Sequence, residues 1–231
     1  MPDSTVLITG ANRGIGLGLT RLFLASGYQV LAAARNPDGA RDLWELESEY
    51  KGRCQLVPLD VAAPTSVKQL ARELRGRGID ILINNAGVYP DANLSFDRLT
   101  VDDFTKAFTV NTLGPIQVTQ ALLPNLRASH SRIVAVVSSR MGSIADNTSG
   151  GAYAYRISKA AVDMFVKTLS NDEPDLIAVA LHPGWVKTEM GGSAAPVEVD
   201  DSAAGLHHVL TSLKPRDTGR FIDFKGKDIP W

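Results

Sequence analysis

Seven short apolar runs, rich in β-branched residues, recur along the chain and alternate with stretches of helical spacing. They cover residues 6–9, 29–33, 55–59, 79–84, 132–138, 176–181 and 220–223. The runs are nearly continuous and show no polar alternation, which is typical of parallel strands covered by helices on both faces. Strand and helix alternation over the whole length therefore predicts an α/β fold with one doubly wound parallel sheet of about seven strands.

The balance of positive and negative charges argues against nucleic acid or an anionic membrane as a partner. The chain has 24 Lys and Arg residues against 25 Asp and Glu residues, so no net field attracts nucleic acid or an anionic membrane. The first ten residues contain no basic region and only a short apolar run, and we expect neither a signal peptide nor a membrane span. The one cysteine, Cys54, cannot form an internal disulfide, which favours a reducing, cytoplasmic location.

The 231 residues contain no tract that resembles a linker, so we expect one domain over residues 1–231. The four histidines have no metal-ligand spacing, and no metal is expected.

A glycine-rich turn, TGANRGIG, follows the first run and opens a helical stretch. Glycines permit tight turning and let a pyrophosphate approach the backbone N–H groups at the positive end of a helix. The position between a strand and a helix predicts a dinucleotide site. In this turn the expected contacts are Gly10, Asn12, Arg13, Gly14, Ile15 and Gly16.

The end of the second run indicates which dinucleotide binds. An acidic residue there would hold a ribose 2′-hydroxyl, whereas a cation would accept a 2′-phosphate. The run ends in Arg35 with no carboxylate, and Arg13 of the glycine turn can join it as a phosphate clamp. This predicts NADP(H) rather than NAD(H). The alternative, two solvated surface arginines, stays open.

Tyr155 and Lys159 lie four residues apart in a helical stretch, which places them on one face. At ~4.5 Å and an effective dielectric of ~20, an ammonium favours a phenolate by roughly 3 to 4 kcal/mol, or about 2 to 3 pKa units. The pair is therefore a candidate for proton transfer.

Two further polar positions point to the same edge of the sheet. Ser139 follows the fifth run, where its hydroxyl can polarise a carbonyl oxygen. Pro115 lies four residues after Asn111, and in a helix its missing N–H leaves the Asn111 carbonyl free to bind water. A helix kink with only a packing role is the alternative for this pair.

Four features together, TGANRGIG, NNAG, the serine after the fifth run and YRISK, resemble the short-chain dehydrogenase/reductase family over nearly the whole chain. The resemblance implies a single Rossmann-type domain and an NAD(P)-dependent oxidoreductase acting on carbonyls and alcohols. It implies that Tyr155 is the general acid/base, that Lys159 lowers its pKa and holds the ribose hydroxyls, and that Ser139 orients the substrate oxygen. It also implies that the Asn111 backbone carbonyl holds a water in a proton relay.

The same resemblance implies further cofactor contacts. After the third run it marks an adenine-contacting pair, after the fourth the NNAG segment, and after the sixth a PGxVxT segment beside the nicotinamide carboxamide. These positions are Asp60, Val61, Asn85, Ala86, Gly87, Pro183, Gly184, Val186 and Thr188.

Two segments depart from the family pattern. Ser139 and Tyr155 lie 16 residues apart, more than is usual, and the addition falls in residues 146–151. Ser143 thereby becomes a rival hydroxyl, although Ser139 directly ends a strand and is favoured. The substrate loop, about residues 189–204, is short, which indicates an open pocket and broad acceptance of carbonyls. The added loop and the ending GRFIDFKGKDIPW resemble the branch that contains the C-factor signalling protein and the sniffer-type carbonyl reductases.

These observations predict an NADPH-dependent reductase of an aldehyde or ketone with Tyr155 as the proton donor. Two alternatives stay open: an NADP(H)-binding signalling protein of C-factor type with little turnover, and an NAD-linked secondary-alcohol dehydrogenase. By analogy with similar proteins, helices over residues 101–127 and 155–170 would form the faces of a homodimer or homotetramer.

Overall fold

A computed structural model describes residues 4–231. Within them, seven strands form one sheet in the order β3-β2-β1-β4-β5-β6-β7, and every neighbouring pair is parallel. The strands are β1 (Thr5–Thr9), β2 (Gln29–Ala34), β3 (Cys54–Pro58), β4 (Ile81–Asn84), β5 (Ile133–Val137), β6 (Ile177–His182) and β7 (Arg220–Asp223). The predicted doubly wound parallel sheet is confirmed.

Helices cover both faces of the sheet. They are α1 (Gly14–Ala25), α2 (Arg41–Glu49), α3 (Pro64–Glu73), α4 (Val101–Phe108), α5 (Gly114–Arg127), α6 (Tyr153–Asp172) and α7 (Val199–Ser212). The α1, α2 and α7 helices pack on one face, together with Ile8, and α3 and α5 pack on the other, together with Leu7. Successive side chains of β1 thus enter opposite layers, which explains why the strand is apolar at every position.

One predicted helix is divided in two. The stretch 101–127 consists of α4, a π-helical turn over Thr109–Leu113, and α5. Pro115 lies just after this turn and has no N–H to donate to the carbonyl of Asn111, so the ordinary hydrogen-bond ladder cannot run through it. Proline at this position accounts for the wider turn.

Two classes of feature are absent from residues 4–231. No helix there is long and apolar enough to cross a membrane. No group of three or more His, Cys, Asp or Glu side chains there is arranged to hold a metal ion. Cys54 is buried, and burial raises the pKa of its thiol to about 11, so it is an unreactive core residue.

Candidate active site

The glycine turn lies at the carboxyl end of β1, next to the point where the strand order reverses between β1 and β4. Gly10 and Gly14 have φ of 65° and 51°, in the left-handed region that favours glycine. A Cβ added to Gly16 would lie 2.2 Å from the carbonyl oxygen of Gly10. The turn therefore has room only for bare backbone, which is the cradle that a pyrophosphate needs at a helix N-terminus.

The end of β4 braces this turn. The side-chain amide of Asn85 donates to the carbonyls of Thr9 at 2.9 Å and Gly10 at 3.1 Å. The hydroxyl of Thr9 accepts from the backbone N–H groups of Asn85 and Ala86, both at 3.0 Å. The amide nitrogen of Asn85 thus holds the turn in place, and its predicted contact with the cofactor stays a prediction.

Two exposed arginines stand at the same edge of the sheet. Arg35 follows β2 and has no ion pair among residues 4–231. The Arg13 side chain is 62% exposed and pairs with Glu189 of the substrate loop. An exposed pair of this kind is weak, so Arg13 can exchange this carboxylate for another anion. Both arginines suit a phosphate group.

The turn after β3 is ordered by its own side chains. Asp60 accepts the backbone N–H of Ala62 at 2.9 Å, and its own N–H donates to the Ser66 hydroxyl at 3.0 Å. Val61 is buried against Gly114, where an added Cβ would lie 3.0 Å from its side chain. The predicted adenine-contacting pair is thus held at the carboxyl edge.

The segment after β6 reaches back to the glycine turn. Gly184 has φ of 90°, and the Pro183 carbonyl accepts the Ser202 hydroxyl of α7 at 2.7 Å. The methyl group of Thr188 lies 3.2 Å from the position of a Cβ on Gly14. Thr188 at the end of this segment therefore lies against Gly14 of the glycine turn.

The substrate loop is closed at its base. The N–H of Val197 donates to the Trp185 carbonyl at 3.1 Å, and the N–H of Lys187 donates to the Val197 carbonyl at 2.8 Å. Since α7 begins at Val199, the last part of the predicted loop is helical, and the irregular part ends at residue 198. The Trp185 indole donates to the Gly191 carbonyl at 2.8 Å while its side chain stays largely exposed.

Tyr155 and Ser139 meet at the end of β5. Tyr155 is 8% exposed, and burial raises the pKa of its phenol to about 12, against the opposing effect of a hydrogen bond with Ser139. The Ser139 hydroxyl accepts the N–H of Met141 at 3.1 Å, and the rival hydroxyl of Ser143 accepts the N–H of Asp146 at 3.1 Å. Of the two serines, Ser139 is the one that acts on the pKa of the phenol, which places it beside Tyr155.

The Lys159 ammonium lies between the Tyr155 ring and the end of β5. Its Nζ lies 5.6 Å from the centre of the Tyr155 ring and donates to the Val137 carbonyl at 2.8 Å. Burial lowers the pKa of this ammonium to about 8. The pKa of Tyr155 is raised because burial of the phenol is the largest cause, and its lowering by Lys159 stays a prediction.

A buried carboxyl, that of Asp163, lies on the same face of α6 as Tyr155 and Lys159 and was not predicted from the sequence. Asp163 lies one helical turn beyond Lys159, is 4% exposed, and has no well-formed hydrogen bond among residues 4–231. Burial raises its pKa to about 7, while Ser138 and Lys159 act in the opposite direction. The spacing of four residues from Lys159 was a usable signal.

Asn111 joins α6 to the segment after β4. Its side-chain oxygen accepts the N–H of Val88 at 2.8 Å, and its amide donates to the Val88 carbonyl at 2.9 Å and the Ser158 hydroxyl at 3.0 Å. The side chain is thereby fully engaged. Gly87, between Val88 and the NNAG asparagines, approaches both Asn111 and the Lys159 ammonium.

The ring of Tyr89 lies against Tyr155, although no motif in the sequence marks Tyr89 as a site residue. The Tyr89 ring packs on the Tyr155 ring with centroids 4.5 Å apart. Burial and the Asp91 carboxylate raise the Tyr89 pKa, so this second phenol is also a neutral hydroxyl.

Arg156 donates to the carbonyls of Gly150, Gly151 and Met141. It thereby fastens the added 146–151 segment to the rim of the site.

His182 fastens the other side of the rim. Its Nδ1 accepts the backbone N–H of Arg140 at 3.2 Å, immediately after Ser139. Burial is the main cause that lowers its pKa to about 4, with Arg140 adding to the effect. The imidazole is therefore neutral near physiological pH, and it is a structural acceptor rather than a proton carrier.

The sheet order, the glycine turn beside the reversal point and the polar set at the carboxyl edge define a protein of the Rossmann class. A family model described as short chain dehydrogenase matches residues 4–198, and the chain belongs to the short-chain dehydrogenase/reductase family of oxidoreductases.

Two of the curated relatives differ in the kind of protein that they are named as, one a signal and the other a dehydrogenase. The C-signal of Myxococcus xanthus is 48% identical over 155 residues, which are 66% of this chain and 93% of that protein. The 1-hydroxy-2-glutathionyl-2-methyl-3-butene dehydrogenase of Rhodococcus sp. (strain AD45) is 35% identical over 239 residues, covering 99% of this chain and 100% of that protein.

Solved structures agree over the full length. An NADPH-bound carbonyl reductase from chicken fatty liver superimposes with a TM-score of 0.92 at 37% identity, covering 100% of both chains. The carbonyl reductase Sniffer of D. melanogaster has a TM-score of 0.92 at 31% identity, covering 99% of both chains. The resemblance to this branch of the family is confirmed.

Proposed function

We propose that this protein is an NADPH-dependent reductase of aldehydes or ketones. One observation carries the proposal: the buried phenol of Tyr155, which has a pKa of about 12, lies beside Ser139 at the carboxyl edge of the sheet, with the Lys159 ammonium 5.6 Å from the centre of its ring. A phenol of this pKa is protonated at neutral pH, which suits donation of a proton rather than its removal from an alcohol. The site therefore favours the reductive direction.

The residues divide the chemistry between them. When bound, NADPH would supply the hydride that reduces the carbonyl carbon of the substrate. The Ser139 hydroxyl orients the carbonyl oxygen, and the Tyr155 O–H gives it the proton, so that an alcohol forms. The phenolate then regains a proton from water. The Asn111 carbonyl can hold that water, because Pro115 has no N–H to donate to it.

Residues of the chain would hold three parts of NADPH: the pyrophosphate, the 2′-phosphate and the ribose hydroxyls. The glycine turn would take the pyrophosphate, and the exposed Arg35 and Arg13 would take the 2′-phosphate. Lys159 would hold the ribose hydroxyls after leaving the Val137 carbonyl. The carbonyl reductase structure with NADPH, at 37% identity, supports this choice of cofactor.

The direct test is NADPH oxidation by the purified protein with a panel of aldehydes, diketones and quinones. Tyr155→Phe should lower turnover about 10²- to 10⁴-fold, the usual contribution of a positioned proton donor, while NADPH binding persists. Ser139→Ala should also lose turnover, whereas its matched control Ser143→Ala should keep it. Equal losses in the two serine variants would contradict the assignment.

A second function has one specific observation in its favour, the 48% identity to the C-signal protein. Under this alternative the protein binds NADP(H) and signals with little turnover. A protein that shifts its melting temperature with NADPH but oxidises none with any carbonyl in the panel would establish it. The complete set of Ser139, Tyr155, Lys159 and Asn111 favours the enzyme, because binding alone needs only the glycine turn.

The assembly stays a proposal of the same kind. We propose a homodimer or homotetramer through residues 101–127 and 155–170, with the whole chain as one domain. The apolar side chains of Phe108, Leu113 and Ile157 are exposed on this side of the molecule. Sedimentation of the purified protein decides between a monomer and these states.

A further inference from the structure

The catalytic helix begins without a cap of its own. The residue before α6 is Ala152, which has a left-handed φ of 49° and no side chain that can accept a hydrogen bond. Gly150 and Gly151 before it also have positive φ. The first backbone N–H groups of a helix need acceptors, usually from a Ser, Thr, Asp or Asn at the cap position. This helix must take its acceptors from elsewhere.

Asp91 supplies them from the segment after β4. Its Oδ2 accepts the N–H of Ala154 at 2.8 Å, and its Oδ1 accepts the N–H of Tyr155 at 3.2 Å. The residue is 1% exposed and lies 63 positions before Ala154 in the chain. A carboxylate at the positive end of a helix, with two N–H donors, is a strong arrangement when water is excluded.

The same segment is fastened at its other end to the rest of the site. Val88 exchanges two hydrogen bonds with the Asn111 side chain, at 2.8 and 2.9 Å. Between the two attachments, the Tyr89 ring lies 4.5 Å from the Tyr155 ring, tilted by 34°. Residues 88–91 thus contact Tyr155 through its backbone and through its ring.

We infer that Asp91 is a positioning residue for the reaction: it holds the first turn of α6 so that the Tyr155 hydroxyl stays beside Ser139. The inference rests on the proposed function. It follows because one of the two hydrogen bonds ends on the backbone of Tyr155 itself. Proton transfer depends steeply on placement, so a small shift of this turn lowers the rate without removing any reacting group.

The chain provides a matched control in α4. That helix begins with a local cap, in which Asp103 accepts the N–H of Thr100 at 2.9 Å and donates its own N–H to the Thr100 hydroxyl at 3.3 Å. Asp103 is partly exposed and caps a helix that carries no reacting group. Removing either aspartate weakens a helix N-terminus, but only Asp91 touches the residue that transfers the proton.

The experiment compares Asp91→Ala, Asp91→Asn and Asp103→Ala. We expect kcat to fall 10- to 100-fold in D91A and less in D91N, which keeps one acceptor oxygen, with the KM for NADPH within twofold of the wild type. D103A should lose thermal stability while kcat stays within twofold. Hydrogen exchange of the amides of residues 153–155 should accelerate in both Asp91 variants.

Two results would overturn the inference. One is a wild-type kcat in D91N together with faster exchange at residues 153–155, which would show that the cap does not govern turnover. The other is unchanged exchange in D91A as well as in D91N, which would show that Asp91 is not the cap. If the wild type reduces no carbonyl, the proposed function fails instead, and the exchange measurement still decides whether Asp91 holds the helix.

Discussion

The glycine turn between β1 and α1 takes its shape from the backbone of adjacent residues and is braced by the side chain of Asn85, whereas the first turn of α6 depends on side chains from distant parts of the chain for its cap. In the glycine turn, Gly10, Gly14 and Gly16 set the shape within seven positions. At α6, Asp91 binds Tyr155 across 64 positions, and Ser139 reaches it from the end of β5.

The glycine turn and the first turn of α6 therefore represent two ways in which a protein can build a functional site. A turn built from backbone tolerates no additional atom, so its function is lost when one methyl group is added. A helix end held by side chains keeps its fold when one contact changes and loses placement first. We therefore expect substitutions at the glycine turn to abolish binding and those around α6 to reduce the rate or the stability by measurable steps.

Gly16→Ala should have the largest effect. The new Cβ would lie 2.2 Å from the Gly10 carbonyl oxygen, which forces the turn open and disrupts the backbone that would face the pyrophosphate. We expect NADPH affinity to fall at least ~100-fold, although alanine is otherwise the better helix former. Fluorescence titration with NADPH measures the loss, and circular dichroism separates it from unfolding. Wild-type affinity in G16A would show that the cofactor does not lie on this turn.

Arg35→Asp should shift cofactor preference next most strongly. The change replaces a cation that would pair with the 2′-phosphate by an anion that would accept the ribose hydroxyl of NADH. A charge-assisted hydrogen bond of about 1.5 to 3 kcal/mol corresponds to a change of about 10- to 100-fold in the ratio of the NADPH and NADH dissociation constants. Arg41→Asp, which makes the same charge change on α2, is the control. An unchanged preference in R35D would favour the NAD-linked alternative.

Pro115→Ala tests the π-helical turn beside the site. Alanine restores an N–H that can donate to the Asn111 carbonyl and displace the water proposed there. We expect turnover to fall roughly three- to tenfold, a fraction of the effect of a general acid, with a smaller change in melting temperature. Pro124→Ala, at the second proline of α5, is the control and should leave turnover unchanged. An unchanged turnover number in P115A would leave Pro115 with only a packing role.

His182→Asn should have the smallest effect, one on stability alone. The folded-state pKa of His182, about 4, lies below its ordinary value of 6.5, so the unfolded chain binds more protons between these pH values. Stability from this group is complete above pH 6.5 and is lost as pH falls toward 4. Asparagine retains an acceptor for the Arg140 N–H and does not titrate, which should remove a loss on the order of 2 kcal/mol over this range.

Urea unfolding at several pH values measures this difference. Asp163, whose raised pKa acts in the opposite direction, is present in both proteins and cancels in the comparison. The exposed His130 provides the control, and H130N should follow the wild type. A pH dependence in H182N equal to that of the wild type would contradict the role given to His182.

The sequence predicted the sheet and the position of the candidate site, because both follow from local patterns. Apolar runs marked all seven strands, and the spacing of Tyr155 and Lys159 marked one face of α6. The strand end favoured Ser139 over Ser143, and this choice stays a prediction, because each hydroxyl accepts one backbone N–H at 3.1 Å.

What the sequence could not predict depends on burial and on distant contacts. The pKa of Tyr155 is raised because the phenol is enclosed, partly by Tyr89, and no spacing rule reports enclosure. The pairing of Asp91 with Ala154 joins positions 63 apart, with no local motif at either end. The use of the Asn85 amide in the glycine turn likewise appears only when β1 and β4 lie side by side.

The central position of β1 has a consequence for how the molecule assembles. One edge of β1 pairs with β2, but the other edge must wait for β4, and Thr5 and Asp80 of the two segments are 75 positions apart. During synthesis, the apolar strand with Val6, Leu7 and Ile8 therefore keeps one row of backbone N–H and C=O groups unpaired until β4 has emerged. Such an unpaired edge invites association between nascent chains. Refolding of this protein should consequently be slow and sensitive to protein concentration.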